Sequence, residues 1–494
     1  MALISLRDVG VVSPRTLFQN IGFNFGSGDR IGLIAGNGGG KSTLLRCVAG
    51  LAEPDQGGIT LSRGLVVGYV EQEMPTGLLG LSLREAVRRA LPALQREQEE
   101  WRVGVVLDEF DTPEELRDRR VGELSGGWQR LAMLARVWIN EPDALLMDEP
   151  TNHLDGEKIA LLEGWITGVA ARTPMLIASH DRSFLDNCTT RTLFLRPNIS
   201  RIYAHPYTRA KALLADDDAA LERKNSKDAK EVDRMRRNAA ELKNVGVNSG
   251  SDLLLKKSMQ LRDRAEKLQA SLKPVHAERH GDIRLGNRGT HAKVIAALRD
   301  LKVATPDGRM LFTVPKFDLF QGDRLVLLGR NGVGKTRLVS LLRRAVAEEV
   351  PGVQVSLSVV LGYADQGMAH LPDDKTPHDF VAGRPGLGDA QATRLLASAG
   401  FSIEAQGRKI GVMSPGQKAR LGLLALRLAE PNFYLLDEPT NHLDIPGQEQ
   451  LETELCKHEA TCVLVSHDRS FVAAVGTRFL VIESGKVREV SSAA

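Results

Sequence analysis

Two stretches decide the fold: AGNGGGKST at residues 35–43 and GRNGVGKTR at residues 329–337. Each ends a short apolar run, IGLIAG (31–36) or LVLLG (325–329), of the kind that forms a buried strand in a mainly parallel sheet. Each opens a helix-forming segment, STLLRCVAG or TRLVSLLRRAV. A strand, a glycine-rich loop and a helix N-terminus make a cradle of backbone N–H groups for phosphate, reinforced by the helix dipole. Gly329 to Thr336 matches G-x-x-x-x-G-K-[ST] in full, while the first copy has Ala35 at the leading glycine and keeps Gly38, Gly40, Lys41 and Ser42. In such a loop the lysine neutralises phosphate oxygens and the hydroxyl of Ser42 or Thr336 holds Mg2+. Gly36, Asn37, Gly39 and Thr43 complete the first candidate cradle; Arg330, Asn331, Gly332, Val333, Gly334, Lys335 and Arg337 complete the second.

The duplication extends well beyond these loops. LLMDEPTNHLD (145–155) recurs as LLDEPTNHLD (435–444), and ASHDRSF (178–184) as VSHDRSF (465–471). Lys41 to Gln72 and Lys335 to Gln366 are both 31 residues; Ser125 to Asp148 and Ser414 to Asp437 are both 23. Two domains of one α/β fold in tandem follow, each with a second buried strand at LLMDE or YLLDE and a third at MLIASH or CVLVSH. Asp148 and Asp437 end apolar strands where an Mg2+-bound carboxylate is needed. Glu149 and Glu438 follow at once and can polarise an attacking water, provided the chain turns there so that both acidic side chains face the phosphate. Gln72 and Gln366 suit a contact with Mg2+ or the lytic water, and His180 and His467 suit sensing of the γ-phosphate. LSGGW (124–128) opens a helix with Ser125 as its expected N-cap, and Gly126 and Gly127 there offer N–H donors to an anion. Its counterpart MSPGQ (413–417) keeps Ser414 and Gly416 but has Pro415, which lacks an N–H.

Between the copies lies a segment of another character, placed at 204–293 between domains at 1–203 and 294–494. Residues 204–290 hold 19 Lys/Arg against 13 Asp/Glu, so the +3 of the 494-residue chain divides into +6 there and −3 elsewhere. Apolar residues recur at helical seam spacing at Val232, Met235, Ala239 and Leu242, and again at Leu261, Ala265, Leu268 and Leu272. NVGVNSGSD (244–252) reads as the turn between them and Pro274 as the end of the second helix. The spacing predicts an antiparallel hairpin whose arms of about 20–25 residues reach roughly 30–38 Å. Lys243, Lys256 and Lys257 flank its tip, where phosphate backbones would be met. The four cysteines form no CxxC pair, which argues against zinc and against a disulfide scaffold. No apolar run reaches the roughly 18–20 residues that span a bilayer, and no signal peptide is read at the N-terminus.

Taken together, residues 1–203 and 294–494 resemble ATP-binding-cassette (ABC) ATPase domains. The resemblance implies head-to-tail cassettes with ATP held between the phosphate loop of one and the signature helix of the other. Site I would then join Lys41, Ser42, Gln72, Asp148, Glu149 and His180 to Ser414 and Gly416. Site II would join Lys335, Thr336, Gln366, Asp437, Glu438 and His467 to Ser125, Gly126 and Gly127. Ala35 and Pro415 fall in the same composite site, so site I is expected to be the slower one. The family usually places an adenine-stacking aromatic ring upstream of the loop; none stands near Val12 or Pro306, and preference for ATP rests on the resemblance.

Two cassettes, a basic helical linker, the doubled EPTNHLD and the LSGGW form of the signature resemble the ABC-F subfamily. That resemblance implies a cytoplasmic, monomeric Mg2+-dependent ATPase whose cassettes pair within one chain. It implies binding to the ribosome, with the linker reaching rRNA and the P-site tRNA, and a role in modulating translation or protecting it from stalling or antibiotics. Gln72 to Ser125 is only five residues longer than Gln366 to Ser414, which leaves no room for the extra arm of some members, and no C-terminal coiled coil is expected after LVIESGKVREV. The alternatives are the ATP-hydrolysing subunit of a membrane transporter, which would need a separate membrane partner, and a DNA-processing ATPase.

Overall fold

A computed structural model describes residues 2–12, 16–272, 283–286, 288–289, 292–368 and 370–492. In each cassette a six-stranded, largely parallel sheet carries the phosphate loop. Its order in the first is Val67–Val70, Ala144–Asp148, Met175–Ala178, Arg30–Ile34, Arg191–Phe194, Arg201–Tyr203, with only the last pair antiparallel. The second repeats it: Leu361–Ala364, Phe433–Asp437, Thr461–Val465, Arg324–Leu328, Arg478–Glu483, Lys486–Val490. Ala144–Asp148 and Phe433–Asp437 are buried at every residue, as strands covered on both faces must be. The strands before the phosphate loop, the acidic pair and the histidine are neighbours, so their C-terminal ends meet at one edge, where open α/β sheets bind ligands.

Each cassette also has a three-stranded antiparallel sheet, which the motif spacing does not announce. It consists of Thr16–Gly26, Ala2–Val12 and Gln56–Leu61 in the first and Met310–Phe320, Val294–Ala304 and Val353–Val355 in the second. These sheets bury Phe18 and Phe312 against the phosphate-loop helices, through cores that include Leu44, Leu45 and Val48 or Leu338, Val339 and Leu342. The other faces of the six-stranded sheets pack on helices, around Phe110 and Trp165 in the first copy and Phe401 and Phe471 in the second.

The linker is an antiparallel hairpin, but its turn is shorter and its first arm longer than the spacing predicts. The first arm runs unbroken over Tyr207–Ser249, 43 residues, and the second over Asp252–Ala270, 19 residues. NVGVNS is therefore helix, and the reversal is confined to Gly250, at φ 65, and Ser251. Gly246 continues the helix because the returning arm crosses it: a Cβ there would lie 3.1 Å from that of Leu254. Val232, Ala239 and Ala265 are buried in the seam, and Ser258 donates to Ala239 O at 2.7 Å. The second arm stops at Ala270, and Pro274 lies outside the described residues. At about 1.5 Å per residue the first arm is roughly 65 Å long, although its first turns lie along the cassettes.

Candidate active site

Both phosphate-loop helices begin with a glycine in the left-handed region, Gly40 at φ 91 and Gly334 at φ 110, and neither start is capped by a side chain. The first N–H groups of these helices are thus left for an anion. A Cβ on Gly40 would sit 2.8 Å from the Phe18 ring, and one on Gly334 2.9 Å from Phe312, so ring packing and the cradle together require glycine. Lys41 Nζ donates to Ala35 O at 3.2 Å, and Lys335 Nζ donates to Gly329 O at 2.7 Å and Arg330 O at 3.0 Å, which holds each ammonium over its loop.

The turn expected after the second strand is present. Glu149 and Glu438 both adopt φ 51, and the residues of each acidic pair line the same cavity. A non-glycine residue in that region costs roughly 1–3 kcal/mol and persists where the surroundings hold it. Here the hold comes from the neighbouring strand: His180 N donates to Glu149 Oε2 at 3.2 Å, and His467 N donates to Glu438 Oε2 at 3.3 Å. Burial pushes Glu149 up to about 7 and Glu438 up to about 8, against the pull of Lys41 and Lys335. Burial drives His180 well below its usual range and His467 down to about 4, so both rings are neutral. A neutral His180 Nε2 accepts from Lys41 Nζ at 2.9 Å. Glu149 Oε1 is buried without a hydrogen-bond partner among the described residues, 3.9 Å from the loop lysine.

The two cassettes face each other head to tail. Asn37, in the first loop, donates through its main chain to Asp444 Oδ2 at 3.0 Å and through its side chain to His442 O at 2.7 Å. Asn331 repeats this toward Asp155 Oδ2 at 3.3 Å and His153 O at 3.1 Å. Signature glycines abut these contacts: a Cβ on Gly416 would lie 2.5 Å from Asn37 Nδ2, and one on Gly126 would lie 3.1 Å from that of His153. One cavity of about 900 Å3 follows the interface, and the loop lysines, Ser42, Thr336, Gln72, Gln366, both acidic pairs, both histidines, Ser125, Gly126, Ser414 and Gly416 line it. Ala35, Gly36, Gly127, Gly329, Arg330 and Val333 are not in its lining. Gly127 is buried beneath Lys158 and the His153 carbonyl, and Arg330 is turned toward Glu157. Where a stacking ring would stand, the lining has Leu17 and Pro306.

The two signature helices begin differently. Both serines occupy the N-cap position, but the Ser125 side chain makes no capping bond. Ser414 does: its Oγ accepts from Gln417 N, and Gln417 Oε1 accepts from Ser414 N at 3.0 Å. With Pro415 at the next position, the site I signature has its serine engaged and one N–H fewer.

Spacing also does not reveal Asp155, Asp444, His153 and His442, although all four stand in the repeated EPTNHLD. Arg130 is another such residue. It donates to Gln72 O at 3.2 Å and to the Asp148 carbonyl, tying the two segments together; the corresponding residue in the second cassette is Ala419.

The donor set fits Mg2+ only in company with phosphate. Thr336 and Asp437 line the cavity together, while among the described residues no three His, Cys, Asp or Glu side chains converge as a metal cage. Mg2+ characteristically takes one or two protein oxygens and completes its shell with water and substrate phosphates.

Comparison with known proteins agrees with this geometry. The family model described as "ABC transporter" matches residues 18–152 and 312–441. ABC transporter F family member 5 of Arabidopsis thaliana is 29% identical over 521 residues, covering 95% of this chain and 73% of that protein. Ribosome protection protein VmlR of Bacillus subtilis (strain 168) is 28% identical over 505 residues, covering 99% of this chain and 88% of that protein. An archaeal ribosome recycling factor, aABCE1, solved in complex with the ribosomal stalk protein aP1, shares the fold with a TM-score of 0.60 at 18% identity, covering 94% of this chain and 85% of that chain. With two family-model matches, two phosphate loops and a hairpin between them, the chain belongs to the ABC family, among the tandem-cassette ATPases of its F group.

Proposed function

We propose that the chain binds the ribosome and uses ATP binding and hydrolysis at two composite sites to modulate translation or to protect it from stalling or antibiotics. Cassettes at 1–203 and 294–494 close on ATP, and the hairpin at 204–293 is thereby held against rRNA and P-site tRNA. The observation that carries the reading is the closed head-to-tail pairing of two nucleotide cradles with a 43-residue helix, the first arm of the basic linker, rooted between them. The relative named a ribosome protection protein, similar over nearly the whole chain, supports it.

In this reading Lys41 and Lys335 bind the phosphates with the loop N–H groups, and Ser125 and Ser414 approach from the opposite cassette. Glu149 and Glu438 take a proton from the attacking water at a carboxylate oxygen, which only their ionised fraction can do. Gln72 and Gln366 orient that water, and His180 and His467 meet the γ-phosphate as neutral rings. Ser42 with Asp148, and Thr336 with Asp437, would hold Mg2+, alongside Gln72 and Gln366. The ion would supply charge neutralisation on the transferred phosphoryl group. The protein works as a cytoplasmic monomer, since each cassette completes the other's site.

The transporter reading is less well supported. No described helix is long and apolar enough to cross a membrane, and a projecting basic hairpin has no use in energising a membrane partner. Binding of the ATP-trapped protein to ribosomes, free tRNA and duplex DNA at one salt concentration separates the readings. Ribosome preference is expected; equal binding to all three would reduce the hairpin to a general polyanion binder.

A further inference from the structure

The hairpin is rooted in a small apolar cluster that three parts of the molecule share. Among the described residues the linker contributes Tyr207, Ala210 and Leu214, the first cassette Ile34, Leu185 and Phe194, and the second cassette Ile445 alone. Two of these residues flank site I. Ile34 immediately precedes its phosphate loop, and Ile445 immediately follows Asp444, the carboxylate that receives the Asn37 amide. A polar clasp covers the joint: Lys211 of the linker pairs with Glu449 of the second cassette, and Glu449 lies 3.7 Å from Arg182 of the first.

The other half of the duplicated molecule supplies an internal control. At site II Asp155 receives the Asn331 amide as Asp444 does for Asn37, but the residue after Asp155 is Gly156. A Cβ at Gly156 would meet nothing within 4 Å among the described residues. The same backbone step thus inserts a buried side chain beneath the hairpin on one side and none on the other.

We propose that closure at site I, and not at site II, positions the linker hairpin, because only that closure brings Ile445 into the hairpin's root. When the cassettes part at site I, Asn37 leaves Asp444 and Ile445 leaves the cluster. Leu214 and Tyr207 then lose a packing partner, and the long arm loses its fixed angle. When they part at site II, the root is untouched. Ile445 and Lys211 are positioning residues, and neither lines the nucleotide cavity. The two ends of the cluster are bistable together because interdigitated side chains either meet or do not. The proposal rests on ATP-dependent cassette closure but not on ribosome binding.

The test measures spin-label distances in the full chain, with labels at Asn248→Cys on the hairpin and Arg63→Cys on the first cassette and with Cys456→Ser in the background. Adding ATP to a Glu149→Gln, Glu438→Gln chain is expected to narrow the hairpin distance distribution. Lys41→Ala, which disables the site I cradle, should abolish the narrowing, and Lys335→Ala should preserve it. Ile445→Gly, which copies Gly156, should keep ATP-driven cassette closure, read from a second label pair, yet leave the hairpin distribution broad; Ile445→Val should restore it. The proposal is overturned if ATP never narrows the distribution, if Lys335→Ala broadens it as much as Lys41→Ala, or if Ile445→Gly leaves it narrow. No ribosome is present, so a failure of ribosome binding has no bearing on the result.

Discussion

The main-chain amide of Asn37, in the first phosphate loop, donates to the carboxylate of Asp444 in the second cassette at 3.0 Å. Asp444 is only 1% exposed and is also paired with Arg420 at 2.8 Å, so the buried charge has a partner whether or not the cassettes are closed. At site II the equivalent Asp155 is paired with Lys158 at 2.9 Å. Each proposed nucleotide site thus draws on both halves of the chain, and the two halves are not equal.

That inequality ranks the sites. Site I has Pro415 in its signature and a Ser414 side chain committed to its own helix. Glu438→Gln, which stops site II, is therefore expected to lower steady-state ATP turnover more than Glu149→Gln. A larger loss with Glu149→Gln would reverse the ranking.

Returning the missing donor should repair site I. Pro415→Gly in a Glu438→Gln background restores one N–H toward the phosphate. A hydrogen bond to a charged group contributes about 1.5–3 kcal/mol, so site I turnover should rise by about tenfold or more. The same change frees the helix start and should cost up to about 1 kcal/mol of folding stability. Unchanged turnover at a lowered melting temperature would show that Pro415 is structural.

In their proposed role as bases, the buried glutamates set the pH dependence. A carboxyl whose pKa is raised must lose its proton before it can act as base, so activity falls as pH drops through the folded-state value. In kcat/KM, which reports the free enzyme, the acid limb is expected near 8 with only site II working (Glu149→Gln) and near 7 with only site I working (Glu438→Gln). The stability consequence has the opposite sense. Between the unfolded value near 4.5 and the folded values, the native state binds more protons than the unfolded chain, so stability falls as pH rises through that window. The double Gln variant should therefore melt above wild type at pH 8, with the gap closing toward pH 4.

Reciprocal ion pairs hold the closed form. Arg182 Nη1 donates to Glu452 Oε2 at 3.2 Å, and Arg469 Nη1 returns the contact to Glu163 Oε2 at 3.3 Å. The Arg182 and Glu452 side chains are 13% and 14% exposed, so removing Arg182 strands Glu452, whereas Arg182 keeps Glu449 at 3.7 Å when Glu452 is removed. Arg182→Ala should weaken ATP-driven closure by about 3–5 kcal/mol, while Arg182→Ala with Glu452→Ala should cost less than Arg182→Ala alone. Additive losses in a double-mutant cycle would show that the pair is not coupled.

Much of the site is legible in the sequence because its chemistry is local. A glycine at a helix start, a lysine beside it and an acid at a strand end are fixed by backbone conformation within a few residues. Duplication then separates motif from accident. The hairpin turn is misread for an equally physical reason. Gly246 and Gly250 look alike in NVGVNSGSD, but Gly246 is glycine because Leu254 and Leu255 press on it, a contact visible only once the arm has folded back. The antiparallel sheets, the Arg130 tie and the Asp444–Asn37 bond are likewise products of long-range packing that no local spacing encodes.

The central claim is that closed, ATP-bound cassettes fix the hairpin on the ribosome. The most direct measurement is co-sedimentation of the Glu149→Gln, Glu438→Gln chain with ribosomes in ATP and in ADP. The account predicts pelleting with ribosomes in ATP and release in ADP. A protein that stays in the supernatant in ATP, or pellets equally with either nucleotide, would contradict it.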